Sequence, residues 1–284
     1  MSSVQNIDFD FSNYDRTLEY TLGGDRSIIP SKIRCTRLTF ALLHGATPDQ
    51  VRKHVKENPV DLELRNNHDQ TPLFIAAIRS RTLGEDMVET LLDLGADPNA
   101  IISWGQARIL AVVCLETGGS STLGTARLLL EHKADPNGKG EGGATALSYA
   151  TSAMGSNCTP ETIELLLKHG ADPNLQYGGG TPLMNLGMMM GSRGRPEAAQ
   201  LLIKYKANPN TVGAIDETAL LLACSNLGDT ENQAEALALI KVLVNAGADV
   251  SIKSKFGLSH KYYIDKNGFS PDILIPDNEK KSVH

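Results

Sequence analysis

One short phrase occurs five times in this chain: Gly95-Ala96-Asp97-Pro98-Asn99, Lys133-Ala134-Asp135-Pro136-Asn137, Gly170-Ala171-Asp172-Pro173-Asn174, Lys206-Ala207-Asn208-Pro209-Asn210 and Gly247-Ala248-Asp249-Val250-Ser251. Its alanines stand at 96, 134, 171, 207 and 248, in steps of 38, 37, 36 and 41 residues. A unit of that length cannot bury its own apolar face and has to stack on its neighbours. The chain is therefore expected to form a solenoid with a long exposed surface, and its function is expected to be binding.

A second phrase precedes each copy, best preserved as Thr71-Pro72-Leu73, Thr145-Ala146-Leu147, Thr181-Pro182-Leu183 and Thr218-Ala219-Leu220. A threonine hydroxyl accepts from an orphan amide at a helix start, and proline loses nothing at the first helical position. These phrases predict first helices. Ahead of the alanine phrases, Val88/Leu91/Leu92, Ala126/Leu129/Leu130, Ile163/Leu166/Leu167, Ala199/Leu202/Ile203 and Ile240/Leu243/Val244 form the i, i+3, i+4 stripe of a second helix packed on one side. Gly95, Gly170 and Gly247 suit a left-handed helix end; Lys133 and Lys206 in the same place carry a cost of about 1 kcal/mol each if the backbone is left-handed there.

The two phrases in fixed order resemble the ankyrin repeat, whose signature is a Thr-Pro-Leu opening, a two-helix hairpin and a Gly-Ala-Asp ending. The resemblance covers residues 65–251. It implies a mainly α, ankyrin-type solenoid of helix-turn-helix repeats joined by β-hairpin fingers that project toward a partner. Two departures stand out. Phe74, Leu110, Ser148, Met184 and Leu221 occupy the place of the family's usual histidine, and Ala107-Arg108-Ile109 replaces the opening phrase of the second repeat. Without a capping side chain, worth about 1 kcal/mol, that repeat is expected to be the weakest.

The family pattern places about 12 residues between the opening leucine and the first residue of the second-helix stripe. Here the spans 73–88, 109–126, 147–163, 183–199 and 220–240 measure 15, 17, 16, 16 and 20. The extra length lies between the helices. Segments such as Glu116 to Leu123 and Ser225 to Glu235 are rich in Gly, Ser, Thr and Asn, predicting an extended first helix followed by a long solvated loop.

The resulting layout is one elongated domain: an N-terminal arm (1–34, partly ordered), a repeat domain (35–275) and a polar tail (276–284) expected to fray. The repeat domain comprises a degenerate first unit (36–64), five repeats (65–251) and a C-terminal cap (252–275). In the first unit Leu38, Phe40, Ala41 and Leu42 predict one helix, and Val51 and Val55 another after Pro48. In the cap, Gly268-Phe269-Ser270-Pro271-Asp272-Ile273-Leu274 echoes an opening phrase. The arm combines Asp8, Asp10 and Asp15 with Phe9, Phe11, Tyr14 and Tyr20; it either packs on the first unit or serves as a short docking motif.

A formal charge of −6 and a pI near 5.7 argue against nucleic acid as a partner. The longest apolar run, Ile109 to Leu115, is too short to span a bilayer, and no export leader is evident. Four cysteines, at 35, 114, 158 and 224, show neither pairing nor metal-type spacing, which suits a reducing, cytoplasmic setting. Delivery into a host cytosol is a further option if the source is bacterial.

No residue set predicts catalysis, a cofactor or a metal. His132 and His169 fall in last helical turns, where they complement the dipole; His44, His54, His68 and His260 stand singly. Cys114 and Cys224 read as core residues, and Cys158 as a loop residue open to solvent. Gly178-Gly179-Gly180 reads as a hairpin turn, and Arg193, Arg195, Lys204 and Lys206 as solvated charge or a rim contact.

By analogy with the family, finger residues and the open face of each first helix meet the partner. These are Asn67, His68, Gln70, Ser103, Trp104, Gln106, Glu141, Tyr177, Ile215 and Glu217 on the fingers, with Arg79, Leu115, Met188, Met189 and Asn226 on the helices. Aromatic anchors such as Trp104 dominate interface energy, although Trp104 can equally fold back over Ile101 and Ile102. The expected function is a monomeric, non-catalytic protein-protein interaction module, an adaptor or effector binding a protein through its concave groove. An enzyme built from the inserts or the arm is the alternative.

Overall fold

The computed structural model describes residues 19–20, 33–34, 36–102, 107–154, 157–188, 195–228 and 233–277. The chain divides into two compact units, Met1–Asp135 and Pro136–His284. The first holds a two-residue antiparallel pair, β1 (Glu19–Tyr20) and β2 (Ile33–Arg34), then α1 (Arg37–Leu43), α2 (Pro48–Glu57), α3 (Pro72–Ile78), α4 (Ser80–Leu83), α5 (Glu85–Asp93), α6 (Ile109–Leu115) and α7 (Leu123–Glu131). The second holds α8 (Ala146–Ser152), α9 (Pro160–Lys168), α10 (Pro182–Met188), α11 (Arg195–Lys204), α12 (Ala219–Ser225), α13 (Gln233–Asn245) and α14 (His260–Lys266).

Helices begin where the opening phrases predict. The hydroxyls of Thr71, Thr145, Thr181 and Thr218 accept from the amides of Phe74, Ser148, Met184 and Leu221 at 3.2–3.3 Å. The same device opens α1, where Thr36 accepts from Thr39, and α14, where Ser259 accepts from Tyr262. Arg108 makes no such cap at the start of α6; its guanidinium instead donates to the Asn99 carbonyl at 2.9 Å.

The closing phrases act on both sides of each helix end. Gly95, Gly170 and Gly247 are left-handed, and so are Lys133 (φ 69°) and Lys206 (φ 73°). The following alanine amides reach back to Leu91, Leu129, Leu166, Leu202 and Leu243 at 2.9–3.0 Å, closing the last turn. Asp97, Asp172, Asn208 and Asp249 then accept the amide two residues on, at 2.8–3.0 Å. This turn aims the next side chain at the neighbouring repeat. In the first unit Asn99 donates to the Lys133 carbonyl (3.0 Å) and accepts from the Asp135 amide (2.7 Å). In the second unit Asn137, Asn174 and Asn210 make the same pair with Gly170 and Asp172, Lys206 and Asn208, and Gly247 and Asp249.

α6, α8 and α12 are seven residues long, so the predicted extended first helix does not form there; in the first repeat α3 is followed, after Arg79, by the one-turn α4, and α10 is described as far as Met188. The extra residues lie in the connections, as the spacing predicts. They are not wholly solvated, because Ser80, Thr117, Ser121, Met154, Cys158 and Leu227 return to the core. Ser121, for instance, donates to the Val113 carbonyl at 2.9 Å, satisfying the end of α6.

The predicted β-hairpin fingers are tight turns; among the described residues no strand forms there. At 66–70, 140–144, 213–217 and 254–258 the first amide donates to the fifth carbonyl and the fourth amide to the first carbonyl, with Asp69, Gly143, Asp216 or Gly257 left-handed. That is a turn closed by a left-handed residue, joined at 140–144 by Gly142 (φ 66°), and too short to extend a ladder. The exception is 177–180: Tyr177 and Gly180 exchange both backbone bonds around Gly178 and Gly179, both at positive φ. The glycine run is thus a two-residue turn, as read from the sequence.

The C-terminal end departs from expectation. The opening helix of the last repeat is α14, begun by Ser259, while Pro271–Leu274 forms a 3-10 turn packed on α13, in the place of a second helix. The tail does not simply fray from residue 276: Asp277 pairs with Asn245 through two hydrogen bonds at 2.9 Å and meets Lys241 at 3.3 Å. Where preceding repeats bury Leu147, Leu183 and Leu220, the last has Lys261; where they bury Thr151, Gly187 and Cys224, it has Asp265. The two charges pair at 3.1 Å in solvent, giving the terminal repeat the polar outer face that a stack needs.

Two outcomes follow. A Cβ at position 187 would lie 2.7 Å from the Ala219 carbonyl oxygen and 3.0 Å from Leu222 Cβ, so α10 and α12 must move apart in Gly187→Ala. We expect a net loss of about 1–2 kcal/mol in urea unfolding, overpacking outweighing the helix propensity gained. The double change Lys261→Leu, Asp265→Ala leaves an apolar end, and light scattering should find concentration-dependent association absent from the wild type.

Candidate partner-binding face

Side chains reach the finger face of the second unit from two kinds of position. On the turns stand Tyr177 and Ile215, 41% and 39% exposed; at the end of α10 stands Met188, 57% exposed. Tyr177 is braced from below. Its ring lies 6.5 Å from that of Tyr149 on α8 at an interplanar angle of 23°, and a Cβ on Gly142 would sit 3.3 Å from its Cε2. One ring face is thus packed while the side chain stays open to solvent. Successive turns are tied by single backbone bonds, Ala214 to the Gly179 carbonyl and Lys255 to the Ile215 carbonyl, both 3.2 Å. This row presents its side chains on a fixed frame.

Sequence reading missed Phe256, among the described residues the apolar side chain most exposed in the second unit (68%), one turn beyond Ile215 and beneath the Lys255 ammonium at 5.4 Å. The clue was present: Phe256 stands three residues before Ser259, as Ile215 stands three before Thr218. The Ser270-Pro271 echo of an opening phrase obscures it.

Several predicted contacts have structural duties instead. Gln70 is buried and bonded to Asn66, whose Nδ2 donates to its Oε1 at 2.9 Å. Asn226 caps α12 and spends its Nδ2 on the carbonyls of Gly187 (2.7 Å) and Met188 (3.3 Å), stitching α10 to α12. Arg79 ends α3, and Leu115 is half-buried. Glu217 is half-buried, and burial raises its carboxyl above the usual range. In the first unit Asn67 is exposed and His68 half-buried on a turn held by Arg65, which donates to Asp69 and, at 2.7 Å, to the Ile101 carbonyl. Glu141 lies in the 141–143 turn. Ser103, Trp104, Gln106 and Met189 lie outside the described residues, as do Met190, Arg193 and Cys35.

Arg195 belongs to no basic surface: it is fully buried at the start of α11. Cys158 is also buried, its thiol directed at the Thr159 carbonyl at 3.7 Å, and its amide donates to the Ala153 carbonyl at 3.2 Å. Cys114 and Cys224 are core residues, and burial pushes the Cys224 thiol up to about 12. His132 and His169 cap their helices through Nδ1 on the carbonyls of Leu128 and Leu165, and His54 meets Asp61 at 2.7 Å. Among the described residues no group of three or more His, Cys, Asp or Glu is placed to hold a metal, and no helix is long and apolar enough to cross a membrane.

The ankyrin repeat family model matches residues 68–102 and 142–177. The chain is similar to the ankyrin repeat domain of Bcl-3, described as a unique member of the IkappaB protein family, with 26% identity and a TM-score of 0.67 over 84% of this chain and 96% of that one. It shares its fold with an ankyrin repeat domain from Acinetobacter baumannii AYE, with 23% identity and a TM-score of 0.58 over 72% and 94%. These matches and the shared fold support an ankyrin repeat protein. Ankyrin repeats are generally protein-protein interaction modules, and the fold is typically a non-catalytic scaffold.

The buried thiols give a direct check. In a Cys35→Ser background, Cys114, Cys158 and Cys224 should stay silent to an aromatic disulfide reagent in native buffer and react together on unfolding.

Proposed function

We propose that this chain is a non-catalytic, monomeric binding module that engages a protein partner through its turns and the adjoining ends of its first helices. The observation that carries the reading is the row Tyr177, Ile215 and Met188: large apolar side chains left open on a frame otherwise built to bury apolar groups. Tyr177, with one face already packed, offers an anchor that loses little side-chain entropy on binding. Trp104, which lies outside the described residues of the first unit, is proposed as an anchor of that unit. The Lys261–Asp265 end favours a monomer, and the reduced cysteines favour a cytoplasmic setting. The role is that of an adaptor, or of a delivered effector if the source is bacterial.

The test is affinity capture from a lysate of the source cells, comparing wild type, the triple variant Trp104→Ala, Tyr177→Ala, Met188→Ala, and Gln200→Ala as a control on an exposed second-helix position. Partners held by wild type and the control should fall at least about tenfold with the triple variant, since one lost anchor commonly costs about 2 kcal/mol. Unchanged capture by the triple variant sinks the surface.

A further inference from the structure

The last repeat carries a histidine in an unusual setting. His260 opens α14 and is fully buried. Its Nδ1 donates to the Val250 carbonyl at 3.0 Å, which fixes the proton on that nitrogen and leaves Nε2 as a bare acceptor. Nε2 is itself buried and has no hydrogen-bond partner among the described residues. A second proton on this ring would create a buried cation whose new N–H has nothing to donate to, a cost that a solvated imidazole does not meet.

We propose that His260 makes the C-terminal repeat acid-sensitive: below about pH 6.5 the unit formed by α14, the 271–274 turn and Asp277 releases from α12 and α13 while the remaining repeats hold. A terminal unit contacts only one neighbour, so it is the piece a stack gives up most readily. Release uncovers α12, including Leu220, Leu221 and Cys224, all buried in the closed form.

The charges around the ring support this direction. Burial pulls the imidazole below its ordinary value, outweighing the Val250 bond and the exposed Asp249 carboxylate, both of which favour the proton. From α12, Cys224 is neutral throughout the range. Lys261, Asp265 and Lys266 of α14, Asp272 of the 271–274 turn and Lys255 of the preceding turn are the other charged groups on the elements around the ring, and all are exposed. Because the folded chain holds this proton less tightly than the unfolded chain, stability is intact above about pH 6.5 and falls as pH drops through it. Glu217, whose carboxyl is raised by burial, has the opposite sign and strengthens the fold on acidification. A loss of protection in this window therefore reports the histidine.

The experiment is amide hydrogen exchange on the full chain at pH 7.5 and 5.5, corrected for the chemical rate, for wild type and His260→Asn, whose amide can replace the Nδ1 donor. In the wild type, protection of 260–277 should drop by up to about tenfold per pH unit below 6.5, the limit for one proton, with residues 182–204 unchanged. In His260→Asn the pH dependence of 260–277 should vanish. An equal drop in the variant, a uniform drop along the chain, or no drop in the wild type overturns the proposal. Should the variant fail to fold, an NMR titration of the wild-type imidazole decides: a midpoint below about 6.5 supports it and one at or above overturns it.

Discussion

Each stack depends on one small constraint: the asparagine that ends a closing phrase must reach the backbone of the next phrase. Its amide makes two bonds there, one to the left-handed closing residue and one from the aspartate or asparagine two positions on, at 2.7–3.1 Å. Each bond adds only about 1 kcal/mol. Their effect on geometry is larger, because they set the rise between repeats so that the apolar stripes of α9, α11 and α13 meet in register. At the start, Glu63 takes the part of asparagine, accepting from the Asp97 amide at 2.8 Å. At the finish Ser251 breaks the series, and Asn245 with Asp277 supplies a substitute.

With the rise fixed, freedom is left to the turns and to the connections between helices, and the chain uses them differently. The turns are held by short backbone circuits and present exposed apolar side chains. The connections, though long and polar in composition, send selected residues back into the core: Ser121 to end α6, Leu227 beneath α12, and Cys158 beside α8. Even the glycines divide this way, Gly178 and Gly179 giving a turn its backbone and Gly187 giving two helices room to approach.

Much of this was legible in the residues. Helix starts followed from Thr71, Thr145, Thr181 and Thr218, helix ends from the alanine phrases, and the missing cap at Arg108 from its own sequence, because these are local effects decided within a few residues. The candidate face was legible only in part. Tyr177, Met188 and Ile215 emerged exposed, but Gln70 and Asn226 turned out to be bonded within the fold. A turn or helix-end amide looks the same in sequence whether it meets solvent or a neighbouring carbonyl.

The sequence alone therefore determined the repeat, its helices and the handedness of their ends, since caps, stripes and left-handed residues act over one helical turn. Tertiary structure decided the rest. It buried Arg195 and Cys158, stopped α6, α8 and α12 at seven residues, assigned Ser259 and not Ser270 to open the last repeat, and sealed His260 without a second partner among the described residues. Those outcomes depend on which atoms of a distant repeat arrive at a given place, and no local pattern carries that information.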